Sequence, residues 1–177
     1  MKGKRSDCEE SALPPDPGTY ALVLEAVAAN DVQIGKLGVL HLRPGIYVYV
    51  GSALGPGGLA ARVGRHARKE KMLRWHIDYL RAESRLVEVW YGIGKQRREC
   101  RWANAFGKLP GASVPLAGFG ASDCGCPSHL CFFNLPPSLA DFRKKLHDQR
   151  IDVIQSLSAC PASFVRCRRK SSRSVFR

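Results

Sequence analysis

An α+β fold, with a small, mainly antiparallel central sheet flanked by helices, is predicted here from three observations. Apolar runs with strand-like alternation recur in "GTYALVLEA", "YVYVGSA", "RLVEVWYGI" and "HLCFFNL". Stripes at helical spacing lie between them, as in "GGLAARVGRHARK". The two kinds do not follow the regular strand-helix-strand order that builds a parallel sheet, so helices should pack on a sheet of antiparallel neighbours.

Residues 1–17, polar and closing on Pro14, Pro15 and Pro17, read as a flexible lead-in. From Gly18 the chain reads as a strand: Tyr20, Leu22 and Leu24 alternate with Thr19, Ala21 and Val23, a pattern so poor in polar positions that both faces should be covered. "VQIGKLGVLHL" has turn glycines at Gly35 and Gly38 and reads as an extra hairpin. After the Pro44-Gly45 turn, "IYVYVG" is β-branched and aromatic and should be a strand ending at Gly51. Glycines then interrupt the chain before a helix whose Leu59, Val63 and Ala67 form an apolar stripe, with Arg62 and His66 on the adjoining face.

"LRWHIDYLRAES" reads as a short helix and "RLVEVWYGI" as a strand. "QRRECRWANAFGKL" reads as a helix with Cys100, Ala103 and Phe106 or Gly107 toward the core. The glycine- and proline-rich residues 110–128 are loop, and "HLCFFNL" is a last strand closing a domain of residues 18–134. A proline-initiated helix fills 135–148, and residues 149–177 read as a basic tail without fixed structure.

The length of 177 residues, 45% of them apolar, suits one domain with a real core. Lys and Arg number 28 against 15 Asp and Glu, a net charge of +13, which favours a polyanionic partner, nucleic acid before an anionic membrane surface. Of that excess, +7 falls in residues 139–177. The N-terminus is charged where an export signal needs an apolar run, and no segment approaches the ~18 apolar residues of a membrane span, so a cytoplasmic protein with no membrane partner is expected. Seven cysteines, an odd number, then read as reduced thiols or metal ligands.

Two triplets compete for attention around Gly45-Ile46-Tyr47 and Tyr49-Val50-Gly51. Side chains alternate along a strand, so two reactive triplets on the same strand would have no facing surface. Gly18-Thr19-Tyr20 on the first strand serves better, because an antiparallel neighbour can set Tyr20 beside Tyr49.

At this point the sequence resembles the GIY-YIG nuclease family. "GTY" stands for its first triplet and "YVG" for its second, leaving the literal "GIY" at Gly45–Tyr47 as a decoy. Arg62 and His66 look like the residues of the family's arginine-bearing helix, and Glu99 looks like its metal-binding glutamate. More narrowly, "YVYVGSA", "GGLAARVGRH", "WHIDYL" and "GFGASDCGCPSHL" resemble an uncharacterised branch, catalogued as a domain of unknown function and sometimes joined to DNA-repair glycosylases. The family's late asparagine has no clear counterpart: Asn104 is too near Glu99, Asn134 is one candidate, and Ser122 or Asp123 can substitute.

The resemblance implies a metal-dependent endonuclease acting on DNA, branched or damaged DNA included, with a DNA-repair enzyme as a further partner. Carboxylates are too sparse for a two-metal site, so one Mg2+ or Mn2+ held by Glu99 is expected. Tyr20 or Tyr49 is then the general base, Arg62 the phosphate clamp and His66 the helper of one or the other. An ordinary phenol ionises only near pH ~10, so charge from Arg62, His66 or the metal has to favour the phenolate. A zinc ion at Cys124, Cys126, His129 and Cys131 is a lesser expectation, packed thiols being the first. The alternative to an enzyme is a non-cleaving nucleic-acid-binding module; a zinc-stabilised interaction domain ranks third.

Overall fold

The computed structural model describes residues 13–68, 71–147 and 151–155. Its centre is a five-stranded, wholly antiparallel sheet. The middle strands are β1 (Gly18–Ala26) and β4 (Gly45–Ala53); β5 (Arg85–Ile93) lies on the other side of β1, and β6 (Leu130–Phe133) on the other side of β4. The expected hairpin is a separate two-stranded unit, β2 (Asn30–Gln33) and β3 (Val39–Leu42). The four helices are α1 (Gly58–Ala67), α2 (His76–Ala82), α3 (Glu99–Gly107) and α4 (Leu139–Leu146).

The near absence of polar side chains in β1 has its cause in two cores, one per face of the sheet. Tyr20, Leu22 and Leu24 join Tyr47, Leu59 and Val63 of α1, Ile77 and Leu80 of α2, and Leu40 and Leu42 of the hairpin. Ala21 and Val23 join Val48, Val50, Trp90, Trp102, Phe106 and Phe142 on the opposite face, under α3 and α4. The two-residue alternation of the strands thus sorts each side chain to one core or the other.

Four details differ from the sequence reading. The strand expected to end at Gly51 continues to Ala53. In α3 the buried apolar residues are Trp102, Ala103, Ala105 and Phe106, whereas Gly107 is exposed and Cys100 faces away from the apolar core toward His129. Residues 13–17 of the lead-in are docked: Leu13 packs against the first core, and Pro14, Asp16 and Pro17 accept backbone hydrogen bonds from Ala60, Leu59 and Gly94. Residues 152–155 of the expected tail form β7 (Asp152–Gln155), paired with the outer edge of β5. The rest of the tail, residues 156–177, and residues 1–12 lie outside the described residues.

Candidate active site

The site begins with α1, which is fixed at both ends. At its start the N–H groups of Leu59 and Ala60 donate to the carbonyls of Asp16 and Pro14, at 2.9 and 3.0 Å, in place of a side-chain cap. At its finish the buried Arg81 of α2 donates to the carbonyls of His66 and Ala67, both at 3.1 Å, putting a cation on the negative end of the helix. The helix so held presents Arg62 and His66 to the strand pair β1–β4.

Tyr20 and Tyr49 lie on one face, offset by two residues rather than directly opposed: Tyr20 pairs with Gly51, and Leu22 with Tyr49. The reason is a close approach. A Cβ on Gly51 would lie 2.5 Å from the Tyr20 hydroxyl, so the tyrosine reaches its partner only across a glycine. That partner is His66, whose Nε2 is 2.8 Å from the Tyr20 oxygen. The Tyr49 ring meets His66 edge-on at 6.3 Å between centroids.

Behind His66 stands Asp78, its side chain fully buried. Its carboxylate receives both guanidinium arms of Arg65, each at 2.9 Å, the Lys71 ammonium at 3.1 Å, and the backbone N–H groups of Arg74 and Trp75. The carboxyl is held far below the usual range: burial opposes ionisation, but this set of donors outweighs it. His66 Nδ1 faces Asp78 at 3.8 Å, beyond hydrogen-bonding distance. A carboxylate accepts only, so the tautomer that suits this surrounding carries its proton on Nδ1, facing Asp78, and leaves Nε2 to accept from the Tyr20 hydroxyl.

Burial lowers His66 below the ordinary imidazole value, so the ring is neutral near pH 7. Burial also raises Tyr20 and takes Tyr49 up to about 12, with Arg62 pulling each the other way without prevailing. In the free protein the charge of Arg62 is therefore not enough to make a phenolate of either tyrosine, and both are phenols near pH 7.

Glu99, buried at the start of α3, accepts from the Ser52 hydroxyl and from Arg97 Nε at 2.8 Å. The other arm of Arg97 reaches Asp123 at 2.8 Å, so one guanidinium bridges two carboxylates. Tyr20, Tyr49, Arg62, His66 and Glu99 all line one cleft of about 530 Å3. Its walls come from both faces of the sheet, where β4 runs on past the last residue paired with β6. Ser122 and Asp123 line it too, whereas Asn134 and Asn104 do not. Tyr47 of the literal triplet is elsewhere, its hydroxyl spent on the backbone of Arg43.

Sequence reasoning missed Arg97, Arg74 and Trp75. Arg62 and Arg65 both stack on the Trp75 ring, at 4.6 and 4.0 Å; Arg62 lines the cleft beside that ring, while Arg65 is held on Asp78 behind it. Only the clustering of Arg97 and Arg98 before Glu99 hinted at such a role.

A second cluster adjoins the cleft. Cys100, Cys124, Cys126 and His129 have their ligand atoms within 4.8 Å of one another and could hold a metal ion. Cys131, expected as the fourth ligand, is buried in the second core, because its place in β6 turns it to the face opposite Leu130; Cys100 of α3 stands in the set instead.

Among the described residues no helix is long and apolar enough to cross a membrane. No curated protein and no solved structure matches the chain. A family model does match it, over residues 19–151, a span that takes in both cores and every residue of the cleft, and the chain belongs to that family, described as the domain of unknown function DUF123.

Proposed function

We propose that this chain is a metal-dependent phosphodiesterase that cleaves nucleic acid, DNA foremost, with Tyr20 as the general base. The observation that carries the reading is the convergence of two tyrosines, an arginine, a histidine and a glutamate, drawn from four separate elements, on one cleft.

A buried phenol paired to a neutral imidazole can act without ionising first. As water attacks phosphorus, its proton passes to the Tyr20 oxygen while the Tyr20 proton passes to His66 Nε2. The imidazolium so formed faces the Asp78 carboxylate, which stabilises it. The P–O bond to the departing alkoxide breaks, and that oxygen is reprotonated from solvent. Arg62, which makes no ion pair among the described residues, clamps the phosphate with its planar fork. Tyr49, whose hydroxyl has no hydrogen-bond partner among the described residues, orients the water.

Glu99 and Asp123 suit a hard cation by donor type, and the cationic Arg97 already bridges them. Mg2+ or Mn2+ held there would neutralise charge on the phosphate and the departing oxygen. Arg97, a largely exposed side chain, would have to swing aside for the ion to take its place between the carboxylates.

The test is cleavage of linear, nicked, flapped and branched DNA and RNA with Mg2+ or Mn2+, comparing the native chain with Glu99→Ala. Cutting should fall at least ~100-fold in the variant while substrate binding survives. Binding without cutting by either protein across the whole panel would replace this reading with a nucleic-acid-docking module.

A further inference from the structure

We propose that Cys100, Cys124, Cys126 and His129 bind one zinc ion in a closed tetrahedral site that fastens the 118–128 loop to the first turn of α3. The site is independent of the phosphodiesterase reading and differs from the Glu99 site in chemistry: three thiolates and an imidazole are soft donors that select zinc, whereas carboxylates suit magnesium.

Geometry supports a single ion. Zinc holds sulfur at about 2.3 Å and nitrogen at about 2.0 Å, which at tetrahedral angles puts sulfur and nitrogen ~3.6 Å apart. The distances from His129 Nε2 are 3.4 Å to Cys124 Sγ and 3.8 Å to Cys100 Sγ, on either side of that value. The whole donor set fits within 4.8 Å. A polynuclear iron–sulfur centre would hold its thiolates farther apart.

The setting supports it too. Apolar packing does not account for the gathering of these thiols, since Cys100, Cys124 and Cys126 are only partly buried and none joins either core, unlike Cys131. They come from a helix start and a glycine-bearing loop, and His129 from the residue before β6. Four protein ligands leave no position for substrate, so the ion is structural. Its effect is positional: Cys100 follows Glu99, and Cys124 follows Asp123, so the ion ties together the two segments that carry the carboxylates of the cleft.

The experiment is metal analysis of the full chain, purified under reducing conditions, desalted after exposure to excess Zn2+, and repeated with Co2+. The expected result is about one zinc per chain, and with cobalt the strong visible bands and sulfur-to-metal charge transfer of a tetrahedral thiolate site. Cys100→Ser and Cys126→Ser should lower the zinc content at least tenfold. A chain with Cys8, Cys131, Cys160 and Cys167 all replaced by alanine should keep it, as should Glu99→Gln. A native chain that retains no zinc, a weak octahedral cobalt spectrum, or loss of zinc in the four-alanine chain would each overturn the proposal. If the serine variants do not fold, the cobalt spectrum of the native chain decides alone. Because the readout is bound metal, a chain that never cuts DNA can still pass, and one that cuts can fail.

Discussion

His66 is the residue on which pH should act. Burial lowers its pKa, so it stays neutral through the range in which an exposed imidazole begins to charge, near pH ~6.5. Protonation at lower pH removes the acceptor for the Tyr20 proton, so cleavage should decline on the acid side and hold level from neutral pH upward. A pH–rate profile still climbing toward 12 would point instead to direct ionisation of Tyr49. Stability has the same sign: as pH falls below ~6.5 the unfolded chain takes up a proton that folded His66 resists, so thermal melts should weaken in acid. Gly51 offers a second check at this scale. Gly51→Ala puts a methyl group against the Tyr20 hydroxyl and should cost about 1–3 kcal/mol in denaturant unfolding; if Tyr20 is the base proposed above, cleavage should also fall near ~100-fold. The five residues named from sequence were legible because short motifs carried them. Arg97 and Cys100 were not legible as site residues, because their partners lie on other elements and neighbouring letters do not name them.

Among the elements, α3 and α4 show what holds the second face. Phe106 and Phe142 stack at 3.9 Å between centroids, and Trp102 and Trp90 complete the cluster. Phe142→Ala should destabilise the chain by about 3–5 kcal/mol, read in urea unfolding. Cleavage per folded molecule should change little, since Phe142 is absent from the cleft. The strands and helices were readable from periodicity because burial on both faces imposes it. The docking of residues 13–17 was not, since it runs through carbonyl groups that every residue possesses. Nor was β7, whose backbone pairing with β5 needed only a free sheet edge, a property of the assembled sheet and not of the tail.

For the molecule as a whole, charge and architecture work at different ranges. Residues 156–177 hold six basic and no acidic side chains, so removing them takes the net charge from +13 to +7. If those side chains meet phosphates, DNA affinity should fall without regard to sequence, and the slope of log affinity against log salt should shrink by up to about 5. Cutting of bound DNA should persist, because the cleft is untouched; equal slopes for the two chains would show that the tail takes no part. The cleft draws its tyrosines from one core, its histidine from the helix packed over that core, and Glu99 from the helix layer over the other. The sheet between them is a shared wall, and a substrate spanning the cleft is a strap across both rooms. With the strap in place, neither side should open without releasing it. Amide exchange should therefore slow together in α1 and α3 when a non-cleavable DNA is bound, two helices that do not need to touch in order to be protected by the same guest.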